Sequence, residues 1–467
     1  MKILFIQETE EPAIGIMSLV SALKKHGHKC DVLIRECEKD IISEIKKTNP
    51  ELIGLSFITP EAEEMKNLCK KIKKETGIKI IAGGAHATFF PEIISEWELD
   101  YICIGEGEYS FAELADRIED GRITSDIPGI WAKNKRSIYR NEPSHLKEDI
   151  NSLPFIDDSI YYKKYPWMKK KEVKQFVSGR GCPFCCSFCY NKRFFEIFKE
   201  KRRTRRMSSK RIVEELYLFK KKHSLRNISF VDYLFPYDKV TLHEFACLYK
   251  KKIAVPFEIQ TRADLINKEV AMILKSAGCR GVFIGVETAN EKTRVDLLKK
   301  RISNRQIRNA ARIIKKERML LGTYNMVYLP GECFLDLIET MKMNAEIKSD
   351  FLYPIKTKYF KNLDMTFDAI NSGTIKERWI KKDFTLDYHF IYGGYKNENA
   401  YHLSALLASN KIYASAANFL VTLRLTWLFR FLGFLAKEIK AKKFYDVSNK
   451  YAAYYILKEL KRMIKIR

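Results

Sequence analysis

The chain has 467 residues, long enough for two or three domains and a sizeable core. Its formal charge of +26 fits an anionic partner, or a lysine-rich composition with no partner at all, because charge alone says nothing of fold or site. Eleven cysteines without a secretory signal exclude a disulfide-stapled secreted scaffold and point to a reducing, cytoplasmic interior where thiols serve metals. In chain order, residues 2–7 form an apolar strand, and 14–26 have helical periodicity ending at Gly27. Strands at 30–35, 52–56, 78–82 and 101–104 alternate with helices at 41–47 and 60–76. This pattern predicts an α/β fold for residues 1–135, an open doubly wound parallel sheet whose ligand lies beyond the carboxyl ends of the strands. Small and polar residues collect at those ends: Ser56 and Thr59, then Gly83, Gly84, His86 and Thr88, then Gly105 and Glu106.

Residues 136–170 are Pro-punctuated, and their run Leu153-Pro154-Phe155-Ile156-Asp157-Asp158 reads as an interdomain linker. The stretch 178–191, SGRGCPFCCSFCYN, follows a β-prone run and sets Cys182, Cys186 and Cys189 in a C-x3-C-x2-C array, with Cys185 as an extra thiol. Three thiolates on one short loop can hold three irons of a four-iron, four-sulfur cluster and leave the fourth iron open. A zinc knuckle would need a fourth Cys or His at ligand spacing, which is not evident nearby, and a disulfide is the other bland reading. Residues 171–375 then alternate again: strands at 228–231, 257–260, 281–286 and 321–329 end at Asp232, at Thr261-Arg262-Ala263-Asp264, at Glu287 and at Pro330-Gly331-Glu332. Polar residues at successive strand ends fit a full or partial (β/α) barrel with its site on that face. The basic run 199–206 suits a solvated loop at least as well as phosphate contact, since no aromatic platform is interleaved with it. Residues 376–467 read as mainly helical. The apolar stretch 414–436, interrupted by Arg424 and Arg430, is either a core helix or a helix lying on a membrane surface.

The cysteine array, its Arg-Gly-Cys-Pro lead-in and the aromatic Phe188 resemble the radical S-adenosylmethionine enzymes. They are similar to the subgroup that carries a cobalamin-binding domain in front of the radical domain. That resemblance implies three cofactors: a 4Fe-4S cluster on Cys182, Cys186 and Cys189, S-adenosylmethionine on the open iron, and cobalamin on the first domain. It favours a partial, six-unit (β/α)6 barrel. Ser56 and Thr59 match the family's Ser/Thr after the third strand, and Gly83-Gly84 match its Gly-Gly, where a flat macrocycle or its nucleotide tail approaches the backbone. His86 and Thr88 share that loop, and Gly105-Glu106 open the later Gly-Glu-Gly-Glu stretch. The Asp-x-His-x-x-Gly loop of histidine-ligated relatives is absent, for residues 7–16 contain no histidine, so cobalt is expected without a protein imidazole and His86 is the competing ligand. For S-adenosylmethionine the resemblance points to Phe188, to Asp232 in place of a Gly-Gly-Glu motif, to Arg262 for the carboxylate, to Glu287 for the ribose and amino group, and to Tyr328 on the adenine side.

The implied function is methylation of an unactivated carbon. Radical cyclisation or oxidative rearrangement with the same cofactors is the alternative. An RNA-modifying radical enzyme is a further reading, disfavoured because Cys30, Cys37, Cys69 and Cys103 are scattered rather than forming a second cysteine set. A non-catalytic cobalamin sensor is disfavoured by the intact cysteine array. Expected partners are a small-molecule, lipid or peptide substrate, an electron donor such as flavodoxin or ferredoxin, and a membrane surface reached through the C-terminal helices, but not nucleic acid.

Overall fold

The computed structural model describes residues 1–201, 204–223, 225–235 and 238–377, together with 380, 385–386, 428 and 430–435. The chain divides into two compact units, the first holding Met1–Lys170 and the segment that begins at Tyr190, the second Lys171–Cys189 and most of the chain beyond residue 202.

In the first unit β1 (Lys2–Gln7), α1 (Ile14–Lys25), β2 (Lys29–Ile34), α2 (Ile41–Thr48), β3 (Leu52–Ser56), α3 (Ala62–Thr76) and β4 (Lys79–Gly83) alternate as expected. Helices α4 (Gly84–Phe89) and α5 (Ile93–Glu96) precede β5 (Tyr101–Cys103) and α6 (Ser110–Glu119). Helices cover both faces of the sheet, so β1 and β3 bury nearly every side chain and read as unbroken apolar runs rather than alternations. The strand order is β2-β1-β3-β4-β5, parallel throughout, and then two strands that the sequence does not announce. β6 (Ile130–Lys133) pairs antiparallel with β5, and β7 (Ile138–Arg140) pairs antiparallel with β6. The sheet is therefore mixed at this edge, and residue 135 lies inside a hairpin; strands this short carry too little periodicity to be read.

The chain next forms α7 (Ser159–Lys164), which pins the loops after β1 and β2. The Tyr161 hydroxyl donates to Gln7 Oε1 and accepts from the Ala13 amide at 3.2 Å. Tyr165, just past the helix, donates to Glu38 at 2.7 Å and accepts from the Ile34 amide at 2.8 Å.

The second unit opens with β8 (Val173–Phe176) and the two-residue β9 (Gly179–Arg180), between which and the next helix lies the cysteine loop. α8 (Tyr190–Ile197) belongs to the first unit. β10 (Arg205–Arg206) pairs antiparallel with β9 and buries Arg205, so the end of the basic run is a strand rather than a solvated loop. Then come α9 (Ser209–Lys222), β11 (Asn227–Phe230), α10 (Lys239–Lys252), β12 (Phe257–Thr261), α11 (Lys268–Ser276), β13 (Cys279–Glu287), α12 (Asn304–Lys316), β14 (Leu320–Val327), α13 (Phe334–Glu346) and β15 (Phe351–Lys356). These strands form a six-stranded parallel sheet in the order β15-β14-β13-β12-β11-β8, the partial barrel expected. Phe230, Phe257, Ile259, Val282, Ile284 and Leu321 pack into the helix-side core. The period-2 alternation sends Ser229, Glu258, Phe283, Gly285 and Tyr324 to the opposite face. β16 (Tyr359–Phe360), α14 (Asp364–Asn371) and β17 (Thr385–Leu386) follow, with β16 and β17 antiparallel. Most of the stretch 414–436 and nearly all of 376–467 lie outside the described residues. Among the described residues no helix is long and apolar enough to cross a membrane.

Candidate functional site

Two carboxyl-end features of β8 and β11 set the cysteine loop. Ser178 donates from its amide to Asp232 Oδ1 and Oδ2 at 3.0 and 3.1 Å, and from its hydroxyl to Oδ1 at 2.9 Å. Asp232 is 2% exposed, and burial raises its carboxyl to about 6 against the lowering effect of those donors and of Arg206. The loop is tied at its other end by Ser187, whose amide donates to the Leu298 carbonyl at 3.0 Å and whose hydroxyl donates to the Leu297 carbonyl at 2.6 Å. The Met365 amide in turn donates to the Ser187 carbonyl at 3.2 Å. Between these clamps Cys182, Cys186 and Cys189 are partly exposed and Cys185 is exposed. Burial raises the Cys182 thiol and pushes Cys186 up to about 11, while the positive charges of Arg262 and Lys300 pull both down. Cys30, Cys69 and Cys103 are buried elsewhere, each pushed up to about 12 by desolvation, and are inert packing thiols.

The residues expected to meet S-adenosylmethionine fall into two groups. Arg262 and Glu287 form the first, and the charge of each is felt at the Cys186 thiol, as is that of Lys300, a residue outside the expected set. The Arg262 guanidinium stacks 3.6 Å from the centroid of the Phe184 ring and forks onto Asp264 at 3.0 and 2.9 Å. Glu287 ends β13 at a register shift, with a left-handed φ of +63°, and its Oε1 accepts from Lys300 Nζ at 2.7 Å. Phe188, Tyr328 and Asp232 form the second. Phe188 is half-buried and packs against the apolar cluster that includes Leu298, Met326, Tyr359 and Met365. Tyr328 is 3% exposed, its amide donating to Glu332 at 2.6 Å and its carbonyl accepting from the Tyr359 hydroxyl at 2.6 Å. Asp232 acts on the loop through Ser178.

In the first unit the expected cobalamin residues do gather at the ends of β3, β4 and β5, but several face one another. Thr88 donates to the Gly84 carbonyl at 2.8 Å and accepts from the Gly105 amide at 2.9 Å. His86 is fully buried, its Nδ1 3.2 Å from the Thr59 hydroxyl and its ring packed among Phe57, Phe90 and Trp97. Desolvation lowers it to about 4, so it is a neutral core imidazole. Gly105 has a φ of +81°, and a Cβ there would meet the Phe198 ring at 2.1 Å. Gly83 is different: its nearest neighbours to an added Cβ are Cys103 atoms at 3.8 and 3.9 Å, and the adjoining Ser56 and Glu106 are half-buried. An added Cβ at Gly83 thus makes only ordinary contacts, beside Ser56, its register partner across the sheet.

Residues 7–115 match the B12 binding domain and residues 176–343 match the Radical SAM superfamily, together more than half of the chain. The chain is a cobalamin-binding radical S-adenosylmethionine enzyme. An uncharacterized methyltransferase of Pyrococcus horikoshii is 26% identical over 81% of this chain and 83% of its own. The anaerobic magnesium-protoporphyrin IX monomethyl ester cyclase of Rubrivivax gelatinosus is 26% identical over 73% of this chain, which spans 63% of that protein. Among solved structures, the radical S-adenosylmethionine methyltransferase TsrM from Kitasatospora setae, with tryptophan substrate and a cofactor analogue bound, superposes with a TM-score of 0.65 at 16% identity, covering 79% of this chain and 76% of that one.

The enzyme's cysteine loop offers three partly exposed thiols, a donor type that such a cluster takes. Among the described residues no three His, Cys, Asp or Glu side chains converge as one metal ion requires. A four-iron cluster asks for no such convergence, because each thiolate takes its own iron. Sequence reasoning passed over Lys300, Phe184 and Ser187. Lys300 sits in the run Lys299-Lys300-Arg301, whose composition reads as surface, and nothing in it announces a buried ammonium. Tyr233, next to Asp232 just past β11, is 71% exposed.

Proposed function

We propose that this enzyme methylates an unactivated carbon of a small-molecule, lipid or peptide substrate, using S-adenosylmethionine twice. The observation that carries the reading is the pairing, in one chain, of a cobalamin-binding domain with a three-thiol loop that leaves one cluster iron open. The methyltransferase relative, which matches over most of both lengths, supports it. When bound, the cluster would supply a hydrogen-abstracting radical and the cobalamin a transferable methyl group. The chain's own part is to hold and orient. Cys182, Cys186 and Cys189 fix three corners of the cluster, and Asp232 and Ser187 fix the loop. Arg262, with Phe184 stacked on it, offers a cation to the cofactor carboxylate, and Glu287 offers a carboxylate oxygen to its amino group. The Ser56–Gly83 step receives the cobalamin, and His86, buried and neutral, stays off the cobalt.

The second reading, radical cyclisation, is supported by the cyclase relative. Product stoichiometry separates the two. Anaerobically reconstituted enzyme, given cobalamin, S-adenosylmethionine and an electron donor such as flavodoxin, is incubated with extracts of lipid, peptide or tetrapyrrole character. Methylation yields S-adenosylhomocysteine and 5'-deoxyadenosine in equal amounts, with a product heavier by one methylene. 5'-Deoxyadenosine formed with substrate but without S-adenosylhomocysteine would sink methylation in favour of cyclisation.

A further inference from the structure

Lys300 is a buried cation beside the cysteine loop to which neither the sequence motifs nor the family resemblance gives a role. Its side chain is 7% exposed and that of Glu287 is 8% exposed, and the Lys300–Glu287 pair is therefore held almost out of water. Lys300 Nζ donates to Glu287 Oε1 at 2.7 Å and to the Gly285 carbonyl at 2.8 Å. A Cβ on Gly285 would stand 2.3 Å from both Nζ and Oε1, so that glycine is what lets the pair close over the strand. Glu287 itself sits at a φ of +63° after the register shift in β13, a conformation that an acidic residue keeps only when its surroundings hold it.

The segment that delivers Lys300 is built as carefully. Arg294 is fully buried and knits it together, donating to the Ile302 carbonyl at 2.7 Å and to Asn304 Oδ1 at 2.6 Å. The Lys300 amide donates to the Arg294 carbonyl at 3.0 Å. Three and two residues before Lys300, the carbonyls of Leu297 and Leu298 receive the hydroxyl and amide of Ser187, which lies between Cys186 and Cys189. One short segment thus carries both the clamp on the cysteine loop and the ammonium. Burial of an ion pair is costly and rarely the most stable solution, so its retention asks for a use.

We propose that Lys300 is a positioning residue for the radical chemistry: it fixes Glu287 at the end of β13, and its fixed positive charge raises the reduction potential of the cluster held by Cys182, Cys186 and Cys189. The Coulomb argument is direct, since reduction adds an electron to the cluster and a nearby cation favours the reduced state. The inference rests on the cluster and not on methyl transfer.

The test is a potentiometric titration of the reconstituted full-length protein, followed by the electron paramagnetic resonance of the reduced cluster. Lys300→Met is expected to shift the midpoint potential to a more negative value, Glu287→Gln to a more positive one, and Lys300→Arg to leave it near wild type. A purely structural pair would not produce opposite signs. Unchanged potential in Lys300→Met with iron retained, or shifts of the same sign in both charge-removing variants, overturns the proposal. If Lys300→Met loses its iron, Glu287→Gln decides alone, and no upward shift in it overturns the proposal. Wild-type protein that binds no iron would instead undo the cluster assignment.

Discussion

A Cβ built on Gly105 would stand 2.1 Å from the Phe198 ring, at a φ of +81° that L side chains rarely adopt. Glycine is required there by packing within the first unit, not by a ligand. Gly105→Ala should cost about 1–3 kcal/mol from overpacking, with strain at positive φ added. Denaturant unfolding of the full-length protein measures it, and Phe198→Ala in the same background should return part of the loss; a neutral Gly105→Ala would disprove the account. Gly84 carries the same warning. With φ +84° and a Cβ that would meet the Phe57 carbonyl oxygen at 3.0 Å and its amide nitrogen at 3.1 Å, Gly84→Val would strain the fold whether or not cobalamin touches it. Gly83→Ala is the cleaner probe, having only ordinary contacts to Cys103. It should fold as wild type yet weaken cobalamin binding, read from the absorption spectrum; unaltered binding would move the site off this step. At the cysteines, alanine at 182, 186 or 189 should abolish the reconstituted cluster, whereas Cys185→Ala should keep its iron. Iron lost from the Cys185 variant but kept in the Cys182 variant would reverse the ligand assignment.

Among elements, the neck between β8 and β11 decides whether the cysteine loop is held open or wanders. Asp232 accepts from the amide and hydroxyl of Ser178, both fully buried. Asp232→Ala leaves those donors without a partner, at about 1–3 kcal/mol for each buried group left unsatisfied. The expected outcome is a folded second unit that retains less iron per chain after reconstitution, with Asp232→Asn between it and wild type. Iron content equal to wild type in the alanine variant would show that the clamp is dispensable. The parallel strands were legible because burial on both faces writes them as apolar runs, and the thiol array because ligand spacing is local. The β6–β7 hairpin was not, since its strands span four and three residues. Nor was the Lys300–Glu287 pair, because the two residues lie 13 positions apart and meet only through a turn stitched by a buried arginine. Asp232 was singled out from the motif, but its bonds to Ser178 depend on two strand ends meeting, which no spacing rule conveys.

The formal charge of +26 governs how the whole chain meets other molecules, but its stability against pH is set by a few acids hidden from water. Burial raises Glu258 to about 8, against hydrogen bonds from Asn227 and Ser229 that lower it. Burial likewise raises Glu332 to about 8, although the amides of Tyr328 and Leu329 donate to its Oε2. The second carboxyl oxygen of each, Oε1, is buried without a hydrogen-bond partner. Both groups therefore stay protonated in the folded enzyme at neutral pH, while in the unfolded chain they ionise near 4.5. A folded pKa raised above the unfolded one means that stability is fully present below about 4.5 and is lost as the pH rises through about 8. Asp232 adds the same sign over a lower window, from 3.8 to about 6. The opposite sign belongs to surface acids such as Glu44, which Lys47 and Lys164 lower to about 2 and which matters only below 4.5. Buried His86, lowered from 6.5 to about 4, likewise loses stability as the pH falls through that range, so the acid and alkaline windows overlap and the melting temperature of the anaerobic, reconstituted protein should peak between about pH 4.5 and 6.5 and fall toward pH 9. Each buried acid can contribute a slope of at most about 1.4 kcal/mol per pH unit. Glu258→Gln, which keeps the shape and removes the ionisation, should flatten the alkaline limb. A wild-type melting temperature that is level from pH 5 to 9, or a limb equally steep in Glu258→Gln, would mean that Glu258 ionises in place, hydrated by water that reaches its second oxygen.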